Sequence, residues 1–125
     1  MSCCFLADTH VLLWALHNDA RLEKHHAELV GNTENTIFAS FASIWEIAIK
    51  VSRGKLSTVS NVPAALEVSG FTLLPIALEH IDVVRGLPDI HRDPFDRMLI
   101  AQARMEGFKI LTVDPAFRAY DVEVL

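Results

Sequence analysis

The sequence predicts an α/β fold, a mostly parallel sheet carrying helices on both faces. Three observations lead there. Short apolar runs bounded by turn residues alternate with longer segments of helical period along the whole chain. Two of those runs, ending at Ala7 and Val113, stop directly on an acid, Asp8 and Asp114. Apolar residues make up 51% of 125 residues, enough for a core between sheet and helices.

The elements follow in order. Residues 3–7 read as a short buried strand, and Asp8 is placed to cap a helix over Thr9–His17. Residues 21–30 carry apolar positions 22, 27, 29 and 30 among charges, the mark of a surface helix that Gly31 and Asn32 stop. Ile37–Ser40 reads as a second strand and residues 43–52 as a mostly apolar helix closed by Arg53 and Gly54. Pro63 and Gly70 bracket a further helix, because proline suits the first turn and glycine the position past the end. Thr72–Pro75 reads as a strand and residues 77–85 as a helix. Asp93 and Pro94 together start a helix that runs to Glu106 and ends at Gly107. Lys109–Val113 is a strand, Pro115–Ala119 a single turn, and Val122–Leu125 a terminal strand.

No repeat, low-complexity tract or Gly/Ser linker divides the chain, so residues 1–125 are expected to form one domain. No apolar run reaches the ~18–20 residues that span a bilayer. The N-terminal apolar stretch is broken by Asp8 and His10 with no basic residue before it, which argues against a signal peptide and for a cytoplasmic protein without membrane contact. Cys3 and Cys4 are adjacent and lack the spaced partners of a zinc site. The net charge of −5 speaks against a module that binds nucleic acid by backbone neutralisation alone. It suits an enzyme whose site is an acidic cluster with cations at the rim.

Four carboxylates are candidates for such a cluster: Asp8, Glu46, Asp96 and Asp114. Three also have ordinary structural readings. Asp8 and Asp114 stand where helix or turn caps are wanted, and Asp96 lies in a first helical turn, where negative charge is favoured. Glu46 is harder to explain that way. Its helix is apolar nearly all round, so its charge requires a cleft, a metal, or Lys50 at i+4. Asp8 and Asp114 both follow strands, at the edge where parallel sheets bind ligands. Converging carboxylates repel unless a cation joins them, and hard oxygen donors suit Mg²⁺, with Mn²⁺ able to substitute.

Around these, Ser43 lies one turn before Glu46, Thr9 and Thr112 are placed to bond the acids next to them in sequence, and Asp93 reads as the cap of the helix carrying Asp96. Lys50, Arg53, Arg92 and Arg97 are candidate phosphate contacts. Of the histidines, His10 is near enough to Asp8 to approach the site, His25 and His26 fall on a polar helix, and His80 and His91 lack partners at ligand spacing. Metalloprotease, phosphate-loop, serine-hydrolase and Cys/His nucleophile patterns are absent from the sequence.

The ordered set LADTHVLLW, SIWEIAIK, HRDPFDRMLIAQA and ILTVDPAF resembles the PIN domain, and within it the VapC-like ribonuclease toxins of prokaryotic toxin–antitoxin modules. The likeness covers nearly the whole chain. It implies a three-layer α/β/α fold, a metal site built from Asp8, Glu46, Asp96 and Asp114, RNA as substrate, a homodimer, and a cognate antitoxin that blocks the site. The expected function is thus a Mg²⁺-dependent endoribonuclease. The alternative is a non-catalytic PIN-fold module that binds RNA or protein. A receiver domain would place paired acids after the first strand and a lysine where Asp114 stands, and a haloacid-dehalogenase-like phosphatase would need an acid at position 10, which is His10.

Overall fold

A computed structural model describes residues 3–125. Strands β1 (Cys4–Ala7), β2 (Thr36–Ser40), β3 (Thr72–Leu74) and β4 (Lys109–Leu111) form one sheet in the order β3-β2-β1-β4, with every pairing parallel. Between them run α1 (Thr9–Leu16), α2 (Lys24–Gly31), α3 (Phe41–Ser52), α4 (Val62–Val68), α5 (Leu78–Arg85) and α6 (Pro94–Glu106), and a 3-10 turn at Pro115–Ala119 follows β4. This is the expected three-layer α/β/α arrangement.

Alternation along the strands divides the core in two. Phe5, Ala7, Ile37, Ala39 and Leu111 face one side, against Val11 and Leu12 of α1 and Leu66 of α4. Leu6 and Ile110 face the other, against Leu99, Ile100 and Ala103 of α6 and Phe117 of the 3-10 turn. Strands covered on both faces read as near-continuous apolar runs, as these do.

Most boundaries lie close to the sequence expectation, and the departures have local causes. α2 begins at Lys24 rather than residue 21, because the Asp19 side chain accepts from the Arg21 backbone N–H at 2.9 Å and holds that segment in a turn. α3 begins at Phe41, two residues early. The last residue of β2, Ser40, is also its cap, accepting from Ala42 N–H at 3.0 Å, so strand passes into helix with no residue between. β4 stops at Leu111, where Thr112 turns toward the site. The tail at 122–125 is a single parallel bridge, Ile110 to Val124, rather than a full strand, although Ile110 N–H, Leu125 N–H and Thr112 N–H all take part in its backbone bonds.

His26 is a further departure. Expected on a polar surface, it is buried and its Nε2 lies 2.7 Å from the Leu125 carbonyl, because the tail folds over α2. His80 is buried too, bonded to Ala77 N–H and to Glu106 between α5 and α6. Gly107 ends α6 with φ of 76°, the left-handed cap that the sequence pattern predicts.

Candidate metal centre

β2 and β3 lie on one side of β1 and β4 on the other, so the chain reverses direction across the sheet between β1 and β4. Ligand crevices of open parallel sheets form beyond the carboxyl ends of strands at such a point. Ala7 pairs with Leu111, which brings Asp8 and Thr112 side by side there.

Asp8 is buried and caps α1 through a 3.0 Å bond from Val11 N–H. Its other oxygen accepts a hydrogen bond from the Thr112 hydroxyl. Thr112 therefore bonds a carboxylate 104 positions away rather than its neighbour's, and accepts from the Asp114 backbone N–H at 3.0 Å. Burial pushes the Asp8 carboxyl above its ordinary range, although the bonds from Thr112 and Val11 pull the other way.

Thr9 behaves similarly. Its hydroxyl donates to Glu46 Oε1 at 2.8 Å and lies 3.0 Å from Ser43 Oγ, with both partners on α3. Glu46 is buried, and its second oxygen meets Lys50 Nζ at 3.1 Å. The expected i+4 pair is thus present, together with a second anchor from α1.

Asp93 caps α6, accepting from Phe95 and Asp96 N–H at 2.9 and 3.0 Å. That fixes the first turn, from which Asp96 projects. Burial, with Asp93 and Glu46 nearby, pushes the Asp96 carboxyl up to about 6 against the lowering effect of His91. His91 Nε2 lies 2.7 Å from Asp96 Oδ2. One donor atom from each of His91, Asp96 and Asp114 falls within 4.8 Å of the others. Among the described residues this is the one set so close; Asp8 is tied to it through Thr112, which accepts from the Asp114 N–H, and the charge of Glu46 is felt at Asp96, although neither acid belongs to the three. Asp114 also caps the 3-10 turn by accepting from Ala116 N–H at 2.9 Å.

His91 is the residue that the sequence reasoning set aside. It lies in a loop after α5, and the i, i+5 spacing to Asp96 was the available signal. Arg97 and Tyr120 hold that loop. Arg97 donates to the carbonyls of Val84, Leu87, Pro88 and His91, and the Tyr120 hydroxyl accepts from His91 N–H at 2.7 Å. The Arg97 guanidinium thus serves the loop's backbone instead of pointing outward as a phosphate contact would. Arg92 is exposed, and Lys50 and Arg53 line a cleft with Glu46 and Asp93. His10 lies against Trp14, with ring centroids 5.7 Å apart, and its charge is felt at Asp8, as its place two residues on suggests.

The donor set fits a hard divalent cation. Carboxylate oxygens dominate it and a single imidazole stands at its edge; Asp96 is raised chiefly by its burial, with the charges of Asp93 and Glu46 adding to the effect, and a cation would offset both.

The family model for the PIN domain matches residues 5–123. Among solved structures, the chain is similar to VapBC2 from Rickettsia felis bound to a DNA fragment from its promoter, with a TM-score of 0.70 and 15% identity over 98% of this chain and 97% of that one. It is similar to FitAcB from Neisseria gonorrhoeae, with a TM-score of 0.67 and 17% identity over 100% and 96% of the two chains. A toxin–antitoxin complex from Klebsiella pneumoniae gives a TM-score of 0.64 and 17% identity over 97% and 95%. No curated protein sequence matches the chain.

Proposed function

The chain belongs to the PIN domain family, and on that footing we propose that it is a metal-dependent endoribonuclease acting as the toxin of a toxin–antitoxin pair. The observation that carries this reading is the convergence of His91, Asp96 and Asp114 within 4.8 Å, beside the buried Asp8 and Glu46. Mg²⁺ is the cofactor, replaceable by Mn²⁺, and Asp8, Glu46, Asp96 and Asp114 are the residues that hold it. A bound cation of this kind supplies Lewis-acid chemistry, stabilising charge that gathers on a phosphodiester and making water a better nucleophile at neutral pH.

The chain's own residues do the remaining work. Thr112 and Val11 N–H fix the Asp8 carboxylate, and Thr9 with Lys50 fixes that of Glu46, so neither has to be reorganised when substrate arrives. The proton on Asp96 is lost near pH 6, which readies its oxygens for a cation at neutral pH. Lys50, Arg53 and Arg92 are the rim cations for backbone phosphates.

Two surfaces support the partners. Phe41, Ile44, Trp45, Ala48, Pro63 and Ile76 line an apolar concavity of about 520 Å³ on the same helix as Glu46, a place for an antitoxin segment that blocks the site. Leu78 and Ile81 on α5 are 82% and 51% exposed, which supports a homodimer. No described helix is long and apolar enough to cross a membrane.

The test is cleavage of total cellular RNA by the purified protein with Mg²⁺, Mn²⁺ or EDTA, beside Asp96→Asn. Metal-dependent cutting at discrete positions, lost in the variant, is expected. A protein that neither cuts RNA nor binds either metal would sink the reading and leave a binding module.

A further inference from the structure

A second concavity is walled in part by Lys50, the ion-pair partner of Glu46. Its volume is about 260 Å³, and its walls include His10, Trp14, Asp19, Arg21, Lys50 and Lys55. Three of these present flat groups. The His10 and Trp14 rings lie 5.7 Å apart with planes at 38°, and the Arg21 guanidinium carbon is 5.6 Å from the Trp14 ring centre. Arg21 is held through two nitrogens by Asp19, at 2.8 and 3.1 Å, so its plane is set before any ligand arrives.

The charges divide unequally. Asp19 answers Arg21 and Glu46 answers Lys50, whereas the Lys55 ammonium has no ion-pair partner among the described residues. In a chain of net charge −5, that surplus is local. The concavity also connects to the site. A neighbouring cleft of about 240 Å³ shares Lys50 and Lys55 and adds Glu46, Arg53 and Asp93. A row of cations thus runs from the carboxylates to the flat groups.

We propose that this concavity is a base-binding subsite for single-stranded RNA, in which one nucleobase stacks among His10, Trp14 and Arg21 while the adjoining phosphates lie along Lys50, Arg53 and Lys55. The inference rests on the RNA reading above and names the residues that hold the strand. Single-stranded RNA is bound in this manner, by stacking on aromatic and guanidinium planes with cations following the backbone. The volume is below the ~300–1,000 Å³ of pockets that enclose drug-sized ligands, which suits one ring system. A peptide segment has its apolar alternative on the Phe41–Trp45 surface; here planar and charged groups alternate instead.

The experiment measures anisotropy of fluorescein-labelled single-stranded oligoribonucleotides with the full chain in EDTA, so that the strand stays intact, and cleavage kinetics with Mg²⁺ in parallel. Arg21→Ala and Lys55→Ala are each expected to weaken binding about fivefold, and Trp14→Leu about tenfold or more, with Trp14→Phe restoring most of the affinity. In cleavage the KM should rise more than kcat falls. Arg21 and Lys55 are exposed and their variants are expected to fold, so they carry the test even if Trp14→Leu does not. Affinity and KM unchanged in both, with wild-type cleavage intact, overturn the subsite and leave the nuclease. A wild-type protein that neither binds nor cuts RNA overturns both.

Discussion

The hydroxyl of Thr9 donates to Glu46 at 2.8 Å, joining the first turn of α1 to the middle of α3. Asp8 and Thr9 are adjacent in sequence yet bond different elements, one Thr112 just past β4 and the other Glu46 on α3. Thr9→Val removes the hydroxyl and keeps the shape. We expect it to lower RNA cleavage by about 10- to 100-fold, as loss of a partner to a metal-holding carboxylate does. The protein should lose about 1–2 kcal/mol, read by urea unfolding.

Asp96 makes the metal-free protein sensitive to pH. Its carboxyl titrates at about 6 in the fold and at ~3.9 in an unfolded chain, so the folded state is the tighter proton binder. Stability from this group is complete below pH ~4 and declines as pH rises through 6. Asp8, also raised, acts in the same direction. Melting temperatures in EDTA between pH 4 and 8 should fall across that window, and Asp96→Asn should flatten the fall. Mg²⁺ should restore stability at pH 7.5 but lose its effect below pH 6, where it competes with protons.

His91→Ala removes the imidazole 2.7 Å from Asp96. Mn²⁺ affinity, measured by calorimetry, should weaken by about 10- to 100-fold. An affinity equal to wild type would show that His91 only packs beside the site.

Arg97 and Tyr120 bind the loop that presents His91. Arg97→Ala leaves several carbonyls without their donor and should destabilise the protein by about 2–3 kcal/mol, while Tyr120→Phe should cost about 1 kcal/mol. Amide exchange in residues 86–92 should accelerate in both variants. Unchanged protection there would mean the loop is held by other contacts.

The parts of this molecule written locally were legible in the sequence. Asp93 with Pro94 announces α6, Gly107 ends it, and Asp8 caps α1, because each depends on a few neighbouring residues. What depended on register was not. That Thr112 reaches Asp8, or Thr9 reaches Glu46, follows only once Ala7 is paired with Leu111 and α3 lies beside α1. His91 was hidden by its loop, which has no period to read, and His26 by a tail that returns to cover it. The carboxylates, the Lys50 partner of Glu46 and the Asp93 cap were conspicuous for their placement, whereas which acid each threonine serves was not.

The direct passage of β2 into α3 at Ser40 and Phe41 has a mechanical consequence. A helix joined by a flexible loop can choose its angle about its own axis, whereas this one inherits its phase from the strand, like a shaft keyed to its coupling. One residue inserted between Ser40 and Phe41 would turn every following side chain by about 100° and swing Glu46 away from Thr9. Three or four would bring it nearly back into phase but displace it by about one 5.4 Å turn along the axis. The length of the β2–α3 junction therefore decides where Glu46 stands as much as the side chain itself does.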